Sequence, residues 1–206
     1  MEAHQKARKM NRLYDLKIPV IGITGGIASG KSTVSKILMN QGEHVICADS
    51  IVKEIYQQDS TKNLIQRIAG KAIDDKNEIN FKILRDLFFQ NKQIKLELEN
   101  HIHPQIERYF KDKMKSDLQR IFYDVPLLFE KKMESKFDYI ILVKVNEETQ
   151  LERLTKRDNI GPELAKKIIK NQLHFTEKEK RSDFIIDNNQ DQSELEQKTL
   201  LILKQI

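Results

Sequence analysis

Glycine is scarce in this chain, and its distribution is the feature that most constrains the fold. The 206 residues include seven glycines, and four of them fall within nine residues: Gly22, Gly25, Gly26 and Gly30. An apolar, β-branched run at residues 18–24 leads into this cluster, and helical periodicity at residues 31–41 follows it and ends at Gly42. The pattern predicts a buried strand, a tight loop and a helix, with the loop backbone open to close approach by a ligand.

Residues 25–32 fit the pattern Gly-x-x-x-x-Gly-Lys-Ser of a phosphate-binding loop, in the strand–loop–helix context that the motif requires. Successive N–H groups in such a loop form a concave anion site, and the helix N-terminus adds positive potential. Lys31 would contact the β- and γ-phosphates, and the Ser32 hydroxyl would ligate Mg²⁺. We therefore predict a nucleotide site formed by Gly25, Gly26, Ile27, Ala28, Ser29, Gly30, Lys31, Ser32 and Thr33.

Short apolar segments alternate with helical patterns along the rest of the chain. Further strands are predicted at residues 43–47, 120–125, 139–145 and 184–186. Helical patterns cover most of residues 49–117, 147–181 and 193–206. Pro104 should break or restart a helix at His103, and Pro162 suits a first helical turn. This alternation predicts an α/β fold with a five-stranded parallel sheet and helices on both faces.

The charge pattern bears on possible partners. The net charge of +5 comes from 36 Lys and Arg set among 31 Asp and Glu, without the aromatic–basic alternation that stacks bases. No apolar run approaches the roughly 18–20 residues that span a bilayer. We therefore predict neither a nucleic-acid nor a membrane partner. The single cysteine, Cys47, agrees with a cytoplasmic location, and the oligomeric state cannot be read from the pattern.

Residues 1–17 lack apolar periodicity, and we expect them to form a loose or partly helical extension without catalytic residues, in which Met10 is an alternative start of translation. Three functional classes fit the phosphate loop: a small-molecule kinase, a regulatory GTPase and a nucleic-acid-dependent ATPase. A GTPase should contain a guanine-reading Asn-Lys-x-Asp, and the nearest fragment, at residues 91–94, lacks the aspartate.

A kinase needs a group that orients the acceptor hydroxyl, and Asp49, just past the second strand, is the best-placed carboxylate. It could instead cap a helix beginning near Ser50. Arg153 and Arg157 lie four residues apart, so one helix face could present both to a transferred phosphoryl group or simply to solvent. Asp124 lies at the end of an apolar run. It could hold Mg²⁺ through water, or it could simply be a turn residue at the end of a strand.

The chain resembles the dephospho-CoA kinases. The matching segments, in family order, are residues 21–33, 48–49, 84–85 with Phe89 and Asn91, 98–99, 103–104, 124–130, Gln150 with Arg153 and residues 157–158, and residues 186–189. The segments Pro-Leu-Leu-Phe-Glu and Leu-Glu…His-Pro are much more specific than the phosphate loop. The resemblance implies transfer of the γ-phosphoryl group of ATP to the 3′-hydroxyl of the ribose of dephospho-CoA, the last step of coenzyme A biosynthesis, with Mg²⁺ as cofactor.

The resemblance also implies a three-layer P-loop kinase fold within a single domain at residues 18–206. Its core would comprise residues 18–52, 118–146 and 181–206, with a helical acceptor-binding insertion at 53–117 and a helical lid at 147–180. The implied catalytic residues are Lys31, Asp49 and Arg153. To the ATP-binding residues of the phosphate loop, the resemblance adds Arg153, Arg157, Asn188 and Asn189. Those implied at the acceptor are Asp49, Arg85, His103, Pro126, Leu127, Leu128, Phe129 and Glu130.

Two positions depart from the family pattern. Cys47 stands where many members have a second aspartate, and Gln190 stands where a glycine usually follows the two asparagines. The first departure puts any role of a companion carboxylate in doubt, and the second puts the path of the adenine loop in doubt. The alternatives are a kinase of the same architecture for another small acceptor, such as a nucleoside monophosphate, and, more remotely, a non-catalytic nucleotide-binding regulatory protein.

Overall fold

The computed structural model describes residues 12–114 and 117–206. These residues form two compact units: one comprises the described residues up to Cys47 and from Asp117 onward, and the other begins at Ala48 and is described to residue 114. In the first unit five strands pair in parallel, in the order β2-β3-β1-β4-β5. Their bounds are β1 Val20–Gly25, β2 Val45–Cys47, β3 Ile121–Asp124, β4 Tyr139–Lys144 and β5 Phe184–Asp187.

The helices divide between the two units. Those of the second unit are α2 to α5, and the others belong to the first. In chain order the bounds are α1 Lys31–Asn40, α2 Ala48–Gln57, α3 Asp59–Ala69, α4 Phe81–Gln90, α5 Lys92–Asp112, α6 Glu147–Asp158, α7 Pro162–Lys170, α8 Phe175–Glu179 and α9 Gln192–Leu203. Short 3-10 turns lie at Leu13–Asp15, Gly70–Ala72 and Glu134–Lys136. Pro162 is at the start of α7, as predicted.

Alternation of side chains along the strands accounts for the core of the first unit. On one face Ile21 and Ile23 of β1 join apolar residues of β3, β4 and β5, and α1 and α9 cover them through Leu38 and Leu195. The opposite face includes Gly22, where an added β-carbon would meet Leu128 and Phe137 of the β3–β4 connection. The predicted α/β fold with a five-stranded parallel sheet is confirmed.

The second unit corrects one prediction. Helix α5 runs through Pro104 without a break, although we expected an end or restart at His103. A proline in a helix interior removes one hydrogen bond and costs about 3 kcal/mol. Four side chains of α5 are buried, namely Ile94, Leu98, Ile102 and Phe110, and the helix contacts α2, α3 and α4. Burial of about 1.5–3 kcal/mol per large apolar side chain exceeds the cost of the proline.

The predicted N-terminal extension falls partly outside the described residues, which begin at Arg12. The guanidinium of Arg12 donates two hydrogen bonds to Asp138, of 2.8 and 2.6 Å. Leu13 is buried. Asp138 also accepts a hydrogen bond of 2.8 Å from the backbone of Val20, so residues 12–13 are attached to the start of β1. None of the described helices is long and apolar enough to cross a membrane.

Candidate active site

The phosphate loop leaves β1 at its carboxyl end and enters α1 at Gly30. Two of its residues have positive φ, Ala28 at 59° and Gly30 at 94°. A β-carbon on Gly30 would collide with the side-chain amide of Asn188, so glycine is required there for space as well as for φ. Positive φ is uncommon for alanine, and backbone strain of this kind is concentrated at ligand sites. Neighbouring side chains must therefore hold the loop in shape.

The N-terminus of α1 can accept an anion. Within the described residues no side chain caps this helix, and its first N–H groups lack intrahelical acceptors. Ser29 is 1% exposed, and its hydroxyl has no hydrogen-bond partner in the described part of the chain. The loop thus has hydrogen-bonding capacity of the kind that phosphate oxygens use.

Lys31 and Asp124 form an ion pair in this site. Asp124 ends β3, the strand beside β1, and is 2% exposed. Its Oδ1 contacts Lys31 Nζ, and its Oδ2 accepts a hydrogen bond of 2.7 Å from Ser35 Oγ. The predicted phosphate-binding lysine and the predicted magnesium carboxylate are therefore in contact. Ser35 was missed, although its position one helical turn after Lys31 was a usable signal.

Asn188 links several of the predicted ATP-binding residues. Its Nδ2 donates a hydrogen bond of 2.8 Å to the carbonyl of Ser29. Its own carbonyl accepts one of 3.2 Å from Arg153. Asn189 lies at the same junction, where its Oδ1 accepts 2.8 Å from the N–H of Asn146. The structure therefore brings the loop, Arg153 and the two asparagines together.

Two glutamines of the predicted lid bind the tip of the loop. Gln150 Nε2 donates a hydrogen bond of 2.8 Å to the carbonyl of Ile27, and Gln172 Oε1 accepts one of 2.8 Å from the Ile27 N–H. Sequence reasoning gave neither residue a role. Gln150 lies three residues before Arg153 on α6 and was recognisable only as part of the family pattern. Gln172 lies between α7 and α8 and had no sequence signal.

A cavity of about 510 Å³ adjoins the loop on the lid side. Its lining includes Gly26 of the loop, both lid glutamines, and apolar residues of α6, α7 and the start of α8. A β-carbon on Gly26 would lie 2.7 Å from Gln150 Nε2 and 2.7 Å from the ring of Phe175. The loop and the lid thus approach each other too closely for a side chain at this position.

The segment at residues 126–130 packs mostly inward. Leu128 and Phe129 are 0% and 2% exposed, so any part they have in acceptor binding is through the shape of the segment. Leu127 is 37% exposed and is accessible to a ligand. The carbonyl of Pro126 accepts a hydrogen bond of 3.3 Å from Thr24 Oγ1, which attaches the segment to β1.

Glu130 attaches the same segment to the lid. It accepts a hydrogen bond of 3.0 Å from the Leu173 N–H and pairs at 2.9 Å with Lys178, whose side chain is 0% exposed. Burial alone would raise the pKa of Glu130, but the ion pair with Lys178 and the hydrogen bonds from the backbone outweigh burial and hold that pKa below its usual value. In the structure Glu130 thus joins residues 126–130 to residues 173–178, at the end of the predicted lid; acceptor binding by Glu130 stays a prediction.

The remaining predicted residues are exposed. Arg157 binds its neighbour Asp158 through hydrogen bonds of 2.7 and 3.0 Å. Asp49, Arg85 and His103 belong to the second unit. Asp49 lies within the first turn of α2, which begins at Ala48, and so does not precede the helix as an N-cap at that position would. Their roles toward the acceptor stay predictions.

The donor atoms of the first unit suit Mg²⁺. The described residues contain no group of three or more His, Cys, Asp or Glu that could hold a metal. Ser32 is exposed at the start of α1, and Asp124 supplies a nearby carboxylate on the adjacent strand. Mg²⁺ takes oxygen ligands and usually completes its shell with water and substrate phosphates, so two protein oxygens are sufficient.

Comparison with known proteins agrees with this geometry. The family model for dephospho-CoA kinase matches residues 19–194. The dephospho-CoA kinase of Fusobacterium nucleatum is 43% identical over 182 residues, which cover 87% of this chain and 94% of that protein. The crystal structure of a protein from Thermus thermophilus is 26% identical with a TM-score of 0.80, covering 92% of this chain and 99% of that one. A dephospho-CoA kinase from Campylobacter jejuni is 28% identical with a TM-score of 0.60, covering 90% and 96%. This chain belongs to the dephospho-CoA kinase family.

Proposed function

We propose that this protein transfers the γ-phosphoryl group of ATP to the 3′-hydroxyl of the ribose of dephospho-CoA, giving CoA and ADP. The observation that carries the proposal is the phosphate loop, which leads into a helix without a side-chain cap and places Lys31 in an ion pair with Asp124. The loop lies inside the region that the family model matches. The match over most of the chain to relatives named dephospho-CoA kinase supports the choice of acceptor. A cytoplasmic location and the absence of nucleic-acid partners stay predictions.

In the proposed reaction the loop N–H groups bind the β- and γ-phosphates, and Lys31 exchanges Asp124 for a phosphate oxygen. Ser32 and, through water, Asp124 would hold Mg²⁺, which supplies charge neutralisation on the phosphates. Arg153 would balance charge on the transferred group from the lid side. Phosphoryl transfer depends mainly on positioning and charge stabilisation, so these contacts account for most of the proposed rate enhancement.

Asp49 is the proposed positioning group for the acceptor hydroxyl. A carboxylate is far too weak a base to ionise a sugar hydroxyl beforehand, so Asp49 would orient the 3′-hydroxyl and take its proton late. Its side chain is exposed and makes no hydrogen bond or ion pair recorded among the described residues, which leaves it available to a substrate. Closure of the lid would exclude water and so suppress hydrolysis of ATP.

The test is ADP release by the purified protein with ATP and Mg²⁺, measured with dephospho-CoA, with nucleoside monophosphates and with RNA in separate reactions. Stimulation by dephospho-CoA alone is the expected result. Stimulation by a nucleoside monophosphate would assign a different acceptor to the same fold, and no stimulation by any of them would favour a non-catalytic nucleotide-binding protein.

A further inference from the structure

The backbone of Ile27 is held on both sides by side-chain amides. Its N–H donates to Gln172 and its carbonyl accepts from Gln150, both at 2.8 Å. Gln150 is 2% exposed, and a buried polar side chain of this kind has its position set by the bonds it makes. Both peptide groups that flank Ile27 are therefore fixed in orientation.

The fixed carbonyl determines where the next N–H points. In a planar trans peptide the C=O and the N–H lie on opposite sides. Because Gln150 draws the Ile27 carbonyl toward α6, the N–H of Ala28 in the same peptide group faces the other way. The positive φ of Ala28, 59°, shows that this local shape is a strained one that outside contacts must maintain.

The same arrangement recurs two residues later. Asn188 Nδ2 holds the carbonyl of Ser29 at 2.8 Å, so the N–H of Gly30 in that peptide group also faces away from the side-chain amide. Alternate carbonyls of the loop, those of Ile27 and Ser29, are thus each held by a side-chain amide. The N–H groups of Ala28 and Gly30 therefore point away from these side-chain amides, toward the side where an anion can bind them.

We propose that Gln150 and Gln172 are positioning residues for ATP, which hold the tip of the phosphate loop so that the Ala28 N–H faces the phosphates. The proposal rests on the ATP site of the proposed function, but not on the identity of the acceptor. Asn188 would act in the same way at the Gly30 N–H. None of the three side chains needs to touch the nucleotide for this role.

The experiment measures ATP affinity by calorimetry in the presence of Mg²⁺ and without any acceptor, together with the melting temperature of the nucleotide-free protein. The substitutions are Gln150→Leu, Gln172→Leu, Gln150→Glu and Gln172→Glu. Gln197→Leu, at an exposed glutamine on α9, is the control and should leave ATP affinity unchanged.

We expect both leucine variants to weaken ATP binding by roughly tenfold, the loss that one missing buried hydrogen bond produces. The glutamate variants should differ from each other. Gln172→Glu keeps an acceptor for the Ile27 N–H, whereas Gln150→Glu places an oxygen against the Ile27 carbonyl, and both add the same charge. Gln150→Glu should therefore bind ATP more weakly than Gln172→Glu.

A structural role alone would lower the melting temperature and leave the affinity of the folded fraction unchanged, and that result would overturn the proposal. Equal affinities for the two glutamate variants would also overturn it. Gln172 is only partly buried, so its substitution perturbs folding less than that of Gln150. If Gln150→Leu does not fold, the comparison of ATP affinity between Gln172→Leu and Gln172→Glu provides the test. Since no acceptor is present, an unexpected acceptor specificity leaves the result unaffected.

Discussion

Lys31 contacts one partner in the structure and would contact a second under the proposed function. In the structure its ammonium group contacts Asp124, whose second oxygen is already bound to Ser35. Phosphate oxygens would take over the first of these contacts when ATP binds. Lys31 would therefore exchange the negative charge of a buried carboxylate for that of the triphosphate.

Replacing Lys31 with alanine should reduce phosphoryl transfer by roughly 10²- to 10³-fold, the loss typical for removal of one group that stabilises transition-state charge. The measurement is kcat/KM for ATP with a circular dichroism spectrum of the same sample. Lys36→Ala, at an exposed position on α1, is the matched control and should be near normal. Near-normal turnover by folded Lys31→Ala would show that Lys31 has no role in phosphoryl transfer.

Asp49→Asn separates a role in positioning the acceptor from a role at the start of a helix. The substitution preserves size, so ATP affinity should be unchanged while kcat falls by roughly 10²-fold or more. Asp59→Asn is the matched control, because Asp59 is also exposed in the first turn of a helix of the second unit. If both variants lose only a few tenths of a kcal/mol of stability and no activity, Asp49 serves the helix dipole alone.

The attachment of residues 147–180, the predicted lid, depends on a few polar contacts at its ends. Glu130 binds Leu173 and Lys178 at one end. His174 Nε2 lies 2.9 Å from Glu147, which joins the start of α6 to the start of α8. These contacts connect segments distant in sequence, and residue types alone did not indicate them.

Glu130→Gln should destabilise the protein at neutral pH by about 3 kcal/mol, because it leaves the buried Lys178 without a counter-charge. The pKa of Glu130 is held below its ordinary value of 4.5, so its contribution is complete above that value and is lost as the pH falls through the lowered pKa. Urea unfolding from neutral pH down to about pH 3 should therefore show the variant and wild type converging in acid.

The double variant Glu130→Gln with Lys178→Met provides the control, since an apolar side chain in place of the buried ammonium should recover much of the loss. A difference between Glu130→Gln and wild type that stays constant from neutral to acid pH would contradict this account of the ion pair.

The sequence predicted the elements well where local pattern and packing agree. In an α/β chain the β-branched run before the glycine cluster is typical of a buried strand, and β1 is found there. The phosphate loop was predictable because its motif combines spacing with context. Pro104 was not, because the packing of α5 outweighs the local preference of proline. Gln172 was not, because a single amide side chain in a connecting segment carries no periodic signal.

The two compact units of the molecule contain different sets of predicted substrate-binding residues. Asn188, Gln150 and Gln172, whose side chains bind the phosphate loop, all belong to the first unit. Of the predicted acceptor residues, Asp49, Arg85 and His103 lie in the second unit, and Pro126 to Glu130 lie in the first. We therefore expect ATP to act on residues of the first unit, and dephospho-CoA to act on residues of both units.

Hydrogen exchange with mass spectrometry should show this division. ATP with Mg²⁺ should slow exchange at residues 25–33 and across residues 147–180, because binding of ligand to the native state suppresses local opening. Dephospho-CoA should slow exchange within residues 48–114 and at residues 126–130. Protection by dephospho-CoA restricted to the first unit would show that the acceptor-binding insertion was wrongly predicted.

The most direct test of the central claim is identification of the product. Incubation of the protein with ATP, Mg²⁺ and dephospho-CoA, followed by mass spectrometry and phosphorus NMR, should give CoA with a new phosphomonoester on the ribose 3′-oxygen, in an amount equal to the ADP formed. ADP accompanied only by inorganic phosphate, or a phosphoryl group at another position of the acceptor, would contradict the account.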